Sequence, residues 1–495
     1  MRKIIALTIT VIMTLTPFGG LALSLNVNEN NEIRFVPAEF FGVANGWGSD
    51  IYDGMAVTDY KGNVREEYTG MWENYDIVQW RKAGGHSNLF QWKNTIGPQS
   101  EQQSQQLVKS YNYVIREGLD DWIKGSLKIN KDMSFVYTLN MDTDTPESAA
   151  DLAEYLLGDG KTNYNGGINW AQCRIQNGIP NPVKVDVWEL GNEVDLIKEN
   201  GNPTWTADKY VSECKRWISA VRSVAPDAKF AAHVYTNDFE AVGDEWHRTV
   251  LMEIGNEIDY VVIHKYFAPG TVYKVCEPMI DRVIDDIKSI TGDDRIKVIM
   301  TEFGSAYRNQ DEFKSFEASI QLEEAIGFSD FYNRCLVKPE VVGTNAWSFN
   351  AGDAAGWTWV LIYIYKGVVR PMVMMDAMQI YHDYVSRNTI VDFKLEGFES
   401  QKPADVTCTV AKTDKGLNIV FSNLSNDSVN IDFKFLNNYK LTHKRVLTGT
   451  SLNAINYRDR QECKVIDEDI NDNTIIKSFD VPKHSVTAIT LEEVK

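Results

Sequence analysis

Two glutamates stand where they could do chemistry. Glu193 closes the run from Lys184, with VDVWELGNE at its core, and Glu302 closes the run from Ile296 (IKVIMTE). Both runs are short, apolar and rich in β-branched residues, and each ends at its carboxylate before a loop. In a (β/α)8 barrel the reacting side chains sit at the C-terminal ends of the strands, where the loops open. Two carboxyls held about 5 Å apart there can cleave a glycosidic bond with retention, one as proton donor and one as nucleophile. The pattern reads as sugar-cleaving chemistry.

Such a pair needs a scaffold, and eight strand candidates supply one: 40–45, 77–82, 134–140, 183–190, 229–235, 260–266, 297–301 and 343–349. Amphipathic segments such as 147–157, 207–224 and 313–335 lie between them. Strands alternating with helices predict parallel βαβ units, and eight of them predict closure into a (β/α)8 TIM barrel, an α/β fold. After Tyr384 the pattern becomes alternating and turn-rich, as in VTCTVAKTDKGLNIVFSNLS and HSVTAITLE, which predicts a C-terminal β-sandwich. The expected organisation is a signal peptide over 1–24, an N-terminal strand over 25–38 that joins the sandwich, the barrel over 39–384 and the sandwich over 385–495.

The leader is read from Arg2 and Lys3, the uncharged run Ile4 to Leu15, and small residues around Ala22 and Ser24 where cleavage would fall. An uncleaved anchor is the alternative, although Pro17 and Gly19-Gly20 break the run. The mature chain is therefore expected to be secreted or periplasmic, with no membrane span after cleavage. The formal charge of −19 offers no basic stripe, which argues against a nucleic-acid partner; the carboxylate pair points to an oligo- or polysaccharide instead. Oligomers stay possible. Six cysteines show no zinc or redox spacing; Cys408 and Cys463 could pair, but six separate buried thiols are the simpler expectation. The seven histidines form no HxxxH or HxH pattern, so neither a catalytic metal nor another cofactor is expected.

Four stretches carry a family resemblance. Trp80–Pro98 (WRKAGGHSNLFQWKNTIGP), Asn140–Leu156 (NMDTDTPESAADLAEYL) and Trp170–Asp195 (WAQCRIQNGIPNPVKVDVWELGNEVD) resemble motifs of glycoside hydrolase family 51, the α-L-arabinofuranosidases of the retaining (β/α)8 clan A. The closing SVTAITLE is similar to that family's last strand. The resemblance implies that Glu193 is the general acid/base, that Asn192 binds the sugar 2-hydroxyl, and that Glu302 is the nucleophile. It further implies that Arg81 and Tyr266 hold the nucleophile carboxylate. His264 and His86 are each either site residues or structural histidines, and Trp347 and Trp47 either stack on sugar or fill core.

The chain also departs from the family. The nucleophile lies in Thr301-Glu302-Phe303-Gly304 rather than D-E-W-N, and His86 replaces an Asn. Asn45 or Gly46 stands where a sugar-binding Glu belongs, which makes Asn45 a substrate-binding candidate by alignment position. Retaining catalysis is compatible with these changes; preference for a terminal arabinofuranose does not follow. Three readings stay open: an arabinofuranosidase-like retaining glycosidase, an endo-acting glycanase (endoglucanase-like) of the same clan, and a non-catalytic carbohydrate-binding protein.

Overall fold

The computed structural model describes residues 22–47, 57–58, 63–68, 70–103, 105–108, 111–113, 117–235, 240–305, 320–352, 361–365, 368–397, 405–434 and 438–494. Most of the expected leader, part of FGVANGWGSDIYDG and the start of the segment 313–335 lie outside these residues. Among the described residues no helix is long and apolar enough to cross a membrane.

Following the strand β1 (Ala22–Phe35), eight parallel strands close a barrel: β2 (Phe41–Asn45), β3 (Gln79–Lys82), β4 (Ser134–Thr138), β5 (Val185–Leu190), β6 (Phe230–Tyr235), β7 (Tyr260–Phe267), β8 (Lys297–Ser305) and β9 (Val341–Trp347). They are the eight runs expected from sequence, with ends shifted by a few residues. Helices α1 (Leu119–Ile129), α2 (Pro146–Leu157), α3 (Trp170–Gln176), α4 (Ala207–Val224), α5 (Glu240–Ile254), α6 (Glu277–Thr291), α7 (Leu322–Leu336) and α8 (Val373–Tyr384) lie among and after them. Their starts are written locally. The side chains of Thr145, Asn169 and Thr206 accept from the backbone N–H groups of Ser148, Gln172 and Lys209, caps whose loss costs about 1 kcal/mol each.

The period of two along each strand positions the site. Val136, Val187, Ala231, Val262 and Ile299 meet inside the barrel and plug it with an apolar layer. Two residues further along the same strands stand Thr138, Glu189, His233, His264 and Thr301. A polar layer therefore lies directly on the apolar one, toward the C-terminal end. Between β7 and β8 the register slips after Val262↔Ile299, so that His264 faces Glu302. That extra residue in β8 lets both Thr301 and Glu302 reach the barrel interior.

The second unit is one continuous nine-stranded sheet. Its strands are β1, β10 (Thr389–Glu396), β11 (Val406–Lys412), β12 (Gly416–Asn423), β13 (Val429–Phe433), β14 (Tyr439–Gly449), β15 (Cys463–Asp469), β16 (Ser478–Val481) and β17 (Ser485–Glu493), in the order β15-β14-β17-β12-β11-β10-β1-β13-β16. The sheet curls on itself, so that Leu25, Val410, Ile419, Ile431 and Leu491 share one core. Its other face carries Ala411, Val420, Leu447 and Ala488 into the core of the barrel unit. Asn333 on α7 donates to Thr407 at 3.1 Å, and Arg445 on β14 is ion-paired with Asp383 on α8. All six cysteines are free thiols. Cys408 belongs to the inner core of the curled sheet and Cys463 to the core shared with the barrel, so the two candidates lie on opposite faces.

Candidate active site

Arg81 is the centre of the polar layer. It is fully buried, which alone would disfavour its charge, but Glu189 and Glu302 more than offset that and hold its pKa above the ordinary arginine value. Its Nε and Nη2 donate to the two oxygens of Glu189 at 2.6 and 2.8 Å, its Nη1 to Glu302 Oε1 at 2.9 Å, and its Nη2 also to Asn192 Oδ1 at 2.9 Å. The fork shape of guanidinium makes this bidentate grip possible. Glu189, with no exposed surface, also accepts from Thr138 Oγ1 at 2.7 Å and Thr301 Oγ1 at 3.0 Å. Burial pushes its pKa up, yet the Arg81 charge, the nearby His264 and the bonds from the Arg81 guanidinium keep it well below the usual carboxylate range. It is a permanent anion.

Glu302 is 5% exposed. Besides Arg81 it accepts the Tyr266 hydroxyl on Oε2 at 2.9 Å. Burial and the facing Glu302 charge push the Tyr266 pKa well up, so that hydroxyl keeps its proton and stays a donor. Tyr266, Trp347 and Ala44 form a small apolar patch at the barrel mouth. Trp347 fits because Gly84 has no side chain; a Cβ there would lie 2.7 Å from the indole.

Glu193 stands beyond the end of β5. Gly191 and Glu193 both have positive φ, 78° and 44°, and this doubled left-handed turn folds the chain back. For a non-glycine residue such a conformation costs on the order of 1–3 kcal/mol and persists only where surrounding contacts impose it. Here Asn88 imposes it: its side chain donates to the Asn192 carbonyl at 2.7 Å and accepts from the Asn192 N–H at 3.2 Å. Glu193 Oε1 lies 2.7 Å from His264 Nδ1. His264 Nε2 in turn lies 3.0 Å from Thr301 Oγ1, whose hydroxyl donates to Glu189. Burial works against the imidazolium, but the Glu302, Glu189 and Glu193 carboxylates raise the His264 pKa to about 10. Burial would raise the Glu193 pKa, and its partner His264 more than reverses this, so it falls below the usual value. The two titrate as one unit.

Glu193, His264 and Glu302 each offer a ligand atom within 4.8 Å of the others. The Glu193 and Glu302 carboxylates are thus spaced for double displacement rather than for a water between them. A cation would meet the same donor spacing, beside the positive charge that Arg81 already supplies there.

Of the sequence candidates, Arg81, Asn192, Glu193, His264, Tyr266 and Glu302 come together, with Trp347 beside them on Tyr266. His86 sits half-buried on the short turn Gly85–Asn88, where burial lowers its pKa. Asn45 is not brought to the cleft. Its Oδ1 accepts the Trp80 indole N–H at 3.0 Å, and it is fully buried. Trp80 and Lys82 point out of the barrel while Arg81 points in, and Asn45 shares the outward phase. Trp47 lies in that same outer layer, stacked on Phe90 at 3.5 Å.

Residues not singled out from sequence include Glu189, Thr138, Thr301 and Asn88, together with His233. The His233 ring lies edge-on to His264 at 5.2 Å, with Asp195 Oδ1 3.6 Å away. Tyr210 on α4 donates to the Leu190 carbonyl and accepts from the His233 N–H, tying β5 and β6 together below the site. The signal for Glu189 was available, since a charge in the middle of an apolar strand needs a buried partner.

Residues 80–282 match the family model described as alpha-L-arabinofuranosidase 1 domain. The chain is 24% identical over 253 residues to an intracellular exo-α-(1→5)-L-arabinofuranosidase of Acetivibrio thermocellus, covering 49% of this chain and 48% of that one. It is 22% identical over 252 residues to an exo-α-(1→6)-L-arabinofuranosidase of Bifidobacterium longum, covering 50% and 47%. The chain thus matches about half the length of these curated relatives. Among solved structures it is similar to the family 51 arabinofuranosidase of Xanthomonas axonopodis pv. citri, with TM-score 0.77 and 15% identity over 95% of this chain and 100% of that one. It is also similar to the α-L-arabinofuranosidase of Thermotoga maritima, with TM-score 0.76 and 20% identity over the same shares. In fold and in distant sequence likeness, the chain has the architecture of the family 51-like (β/α)8 glycosidases of clan A.

Proposed function

We propose that this chain is a retaining glycoside hydrolase. The observation that carries the reading is the spacing of the Glu193 and Glu302 carboxylates, no more than 4.8 Å apart across His264 at the mouth of a closed barrel. Glu302, aimed by Arg81 and Tyr266, attacks the anomeric carbon. Glu193 protonates the departing oxygen.

The proton comes from the Glu193–His264 pair, which holds one transferable proton between atoms 2.7 Å apart. In the open cleft it rests on the imidazole. Bound sugar expels water, separated charges become costlier, and the neutral pair with the proton on Glu193 gains ground. Donation to the departing oxygen leaves a Glu193 carboxylate beside a neutral His264 while covalent attachment consumes the Glu302 charge; in the second step Glu193 takes a proton from the attacking water, and that proton restores the pair. Asn192 presents its Oδ1 to Arg81, which leaves its amide N–H groups for a sugar hydroxyl.

The substrate we propose is an oligo- or polysaccharide outside the cytoplasm, of plant or other origin. The relatives named as arabinofuranosidases support an arabinofuranosidase-like enzyme. The His86 departure, and the lack of a carboxylate at either Asn45 or Gly46, favour weak activity on simple arabinofuranosides and better activity on another glycoside. The test is a screen on arabinan, arabinoxylan, glucans, galactans and acidic polysaccharides, with the anomeric form of the first product read by NMR. We expect retention; an inverted first product would sink the double-displacement reading, and no product from any polymer would favour a binding protein.

A further inference from the structure

Displacement at an anomeric carbon sets the nucleophile and the proton donor on opposite sides of the reacting bond, so the leaving group departs on the side of Glu193. A cavity of about 230 Å³ opens on that side. Glu193 and Asn192 line it, whereas Glu302, Arg81, Tyr266 and Trp347 do not. Its volume is below the usual range for drug-sized ligands and suits one sugar ring. Leu89, Leu196 and Ile197 give it an aliphatic wall, and Asp142 adds a carboxylate.

Asp142 is held in place. It lies in the turn after β4, where Asn140 Oδ1 accepts the Thr143 N–H at 3.0 Å, and its Oδ1 accepts the Trp205 indole N–H at 3.2 Å. Trp205 is 4% exposed, and the Lys209 ammonium covers its ring at 4.1 Å. One carboxylate oxygen is thus spent on the scaffold, and the other is left for a ligand. The neighbouring Asp144 has a different task, bonding the Thr145 N–H and the Ser148 hydroxyl at the start of α2.

We propose that this cavity is the leaving-group subsite and that Asp142 sets its specificity, holding one neutral sugar unit by its hydroxyls and turning away a uronate. The proposal rests on the glycosidase reading. C–H faces of a sugar ring pack on the aliphatic wall, and hydroxyl donors pair with the carboxylate. A uronate would bring a third carboxylate beside Asp142 and Glu193, with no basic side chain among the described residues that line the cavity to offset it.

The experiment follows the methyl groups of Leu196 and Ile197 by NMR in the full chain during titration with arabinose, xylose, glucose, galactose and glucuronate. At least one neutral sugar should shift both methyls, and Asp142→Ala should weaken that binding about ten- to a hundred-fold, the worth of hydrogen bonds to a charged group. Asp142→Asn, which keeps an acceptor and removes the charge, should hold the neutral sugar within a few-fold and admit glucuronate. Unmoved methyls, equal binding by Asp142→Ala, or glucuronate binding wild type as well as neutral sugars would each overturn the proposal. The polysaccharide screen reads catalysis separately. Retaining turnover with silent methyls removes the subsite and leaves the glycosidase, whereas responsive methyls without turnover remove the glycosidase and leave a sugar-binding cavity.

Discussion

The two facing carboxylates, Glu193 and Glu302, occupy unlike surroundings. Glu302 lies within a strand, 5% exposed, and both its oxygens are engaged at 2.9 Å by Arg81 and Tyr266. Glu193 lies past the end of its strand in a left-handed turn, half-buried, with one oxygen on His264 and an open cavity beside it. A nucleophile has one target point, so a rigid sheet position serves it. In the proposed mechanism the proton donor must serve a departing group of variable shape, which a turn position and a proton shared with His264 allow.

Removing the nucleophile is the severest way to break this asymmetry. Glu302→Gly should lower turnover by a factor on the order of 10⁴–10⁶, as expected when a group central to a covalent step is lost. Azide or formate should restore part of the activity on an activated glycoside by filling the vacated space, and should give the inverted product. Activity near wild type without added anion would remove Glu302 from the mechanism.

Arg81→Met tests the rigidity of that half. It leaves Glu189 and Glu302 facing each other without their counter-ion, and an uncompensated buried charge costs about 3–5 kcal/mol. Urea unfolding should show a loss of that size, while Glu193→Gln, at a half-open position and with Glu189 and Glu302 still facing His264, should cost clearly less. Similar midpoints for the two variants would mean that the halves are not built differently after all.

Glu193→Ala probes the acid half by leaving group. A sugar alkoxide needs the proton and a nitrophenolate does not, so the loss should be about 10²–10⁴-fold on a glycan and small for the first step on an activated glycoside. Equal losses on both would show that Glu193 is not the acid.

Period and strand ends carried most of what could be read in advance. The eight runs gave the barrel because each is apolar and β-branched and stops at a turn, and the motif residues gave Arg81, Asn192, Glu193, Tyr266 and Glu302. Asn45 was misplaced because alignment position says nothing about phase: one residue along a strand exchanges cleft for outer layer, and Asn45 falls with Trp80. Glu189 could have been found as a charge in the middle of an apolar strand, whereas Thr138 and His233 were legible only once Val136 and Ala231 were known to share a layer, a relation set by barrel closure between distant segments. Asp142 was not singled out, because Trp205, which anchors it, is far away in sequence.

The effect spread most thinly, over several pH units, concerns the shared proton. The His264 pKa rises from 6.5 to about 10 in the folded protein. A group whose folded pKa is raised stabilises fully below its unfolded value, and that stabilisation is lost as pH climbs through the folded value. Glu193, whose pKa is lowered, works in the opposite sense: its contribution is present above its ordinary value of 4.5 and fades as pH falls below it. The pair should therefore give a plateau of stability between about pH 5 and 6.5 and a decline from there to about pH 10, at most about 1.4 kcal/mol per pH unit. His264→Gln deletes the alkaline part of this dependence and leaves every other titrating group in place. Urea unfolding of both proteins at pH 6, 8 and 9.5 reads the difference, which cancels the contributions of the cysteines and lysines that titrate in the same range. Their stabilities should converge as pH rises. A constant gap would mean that His264 stays neutral in the fold and that the proton used by the acid half rests on Glu193 from the start.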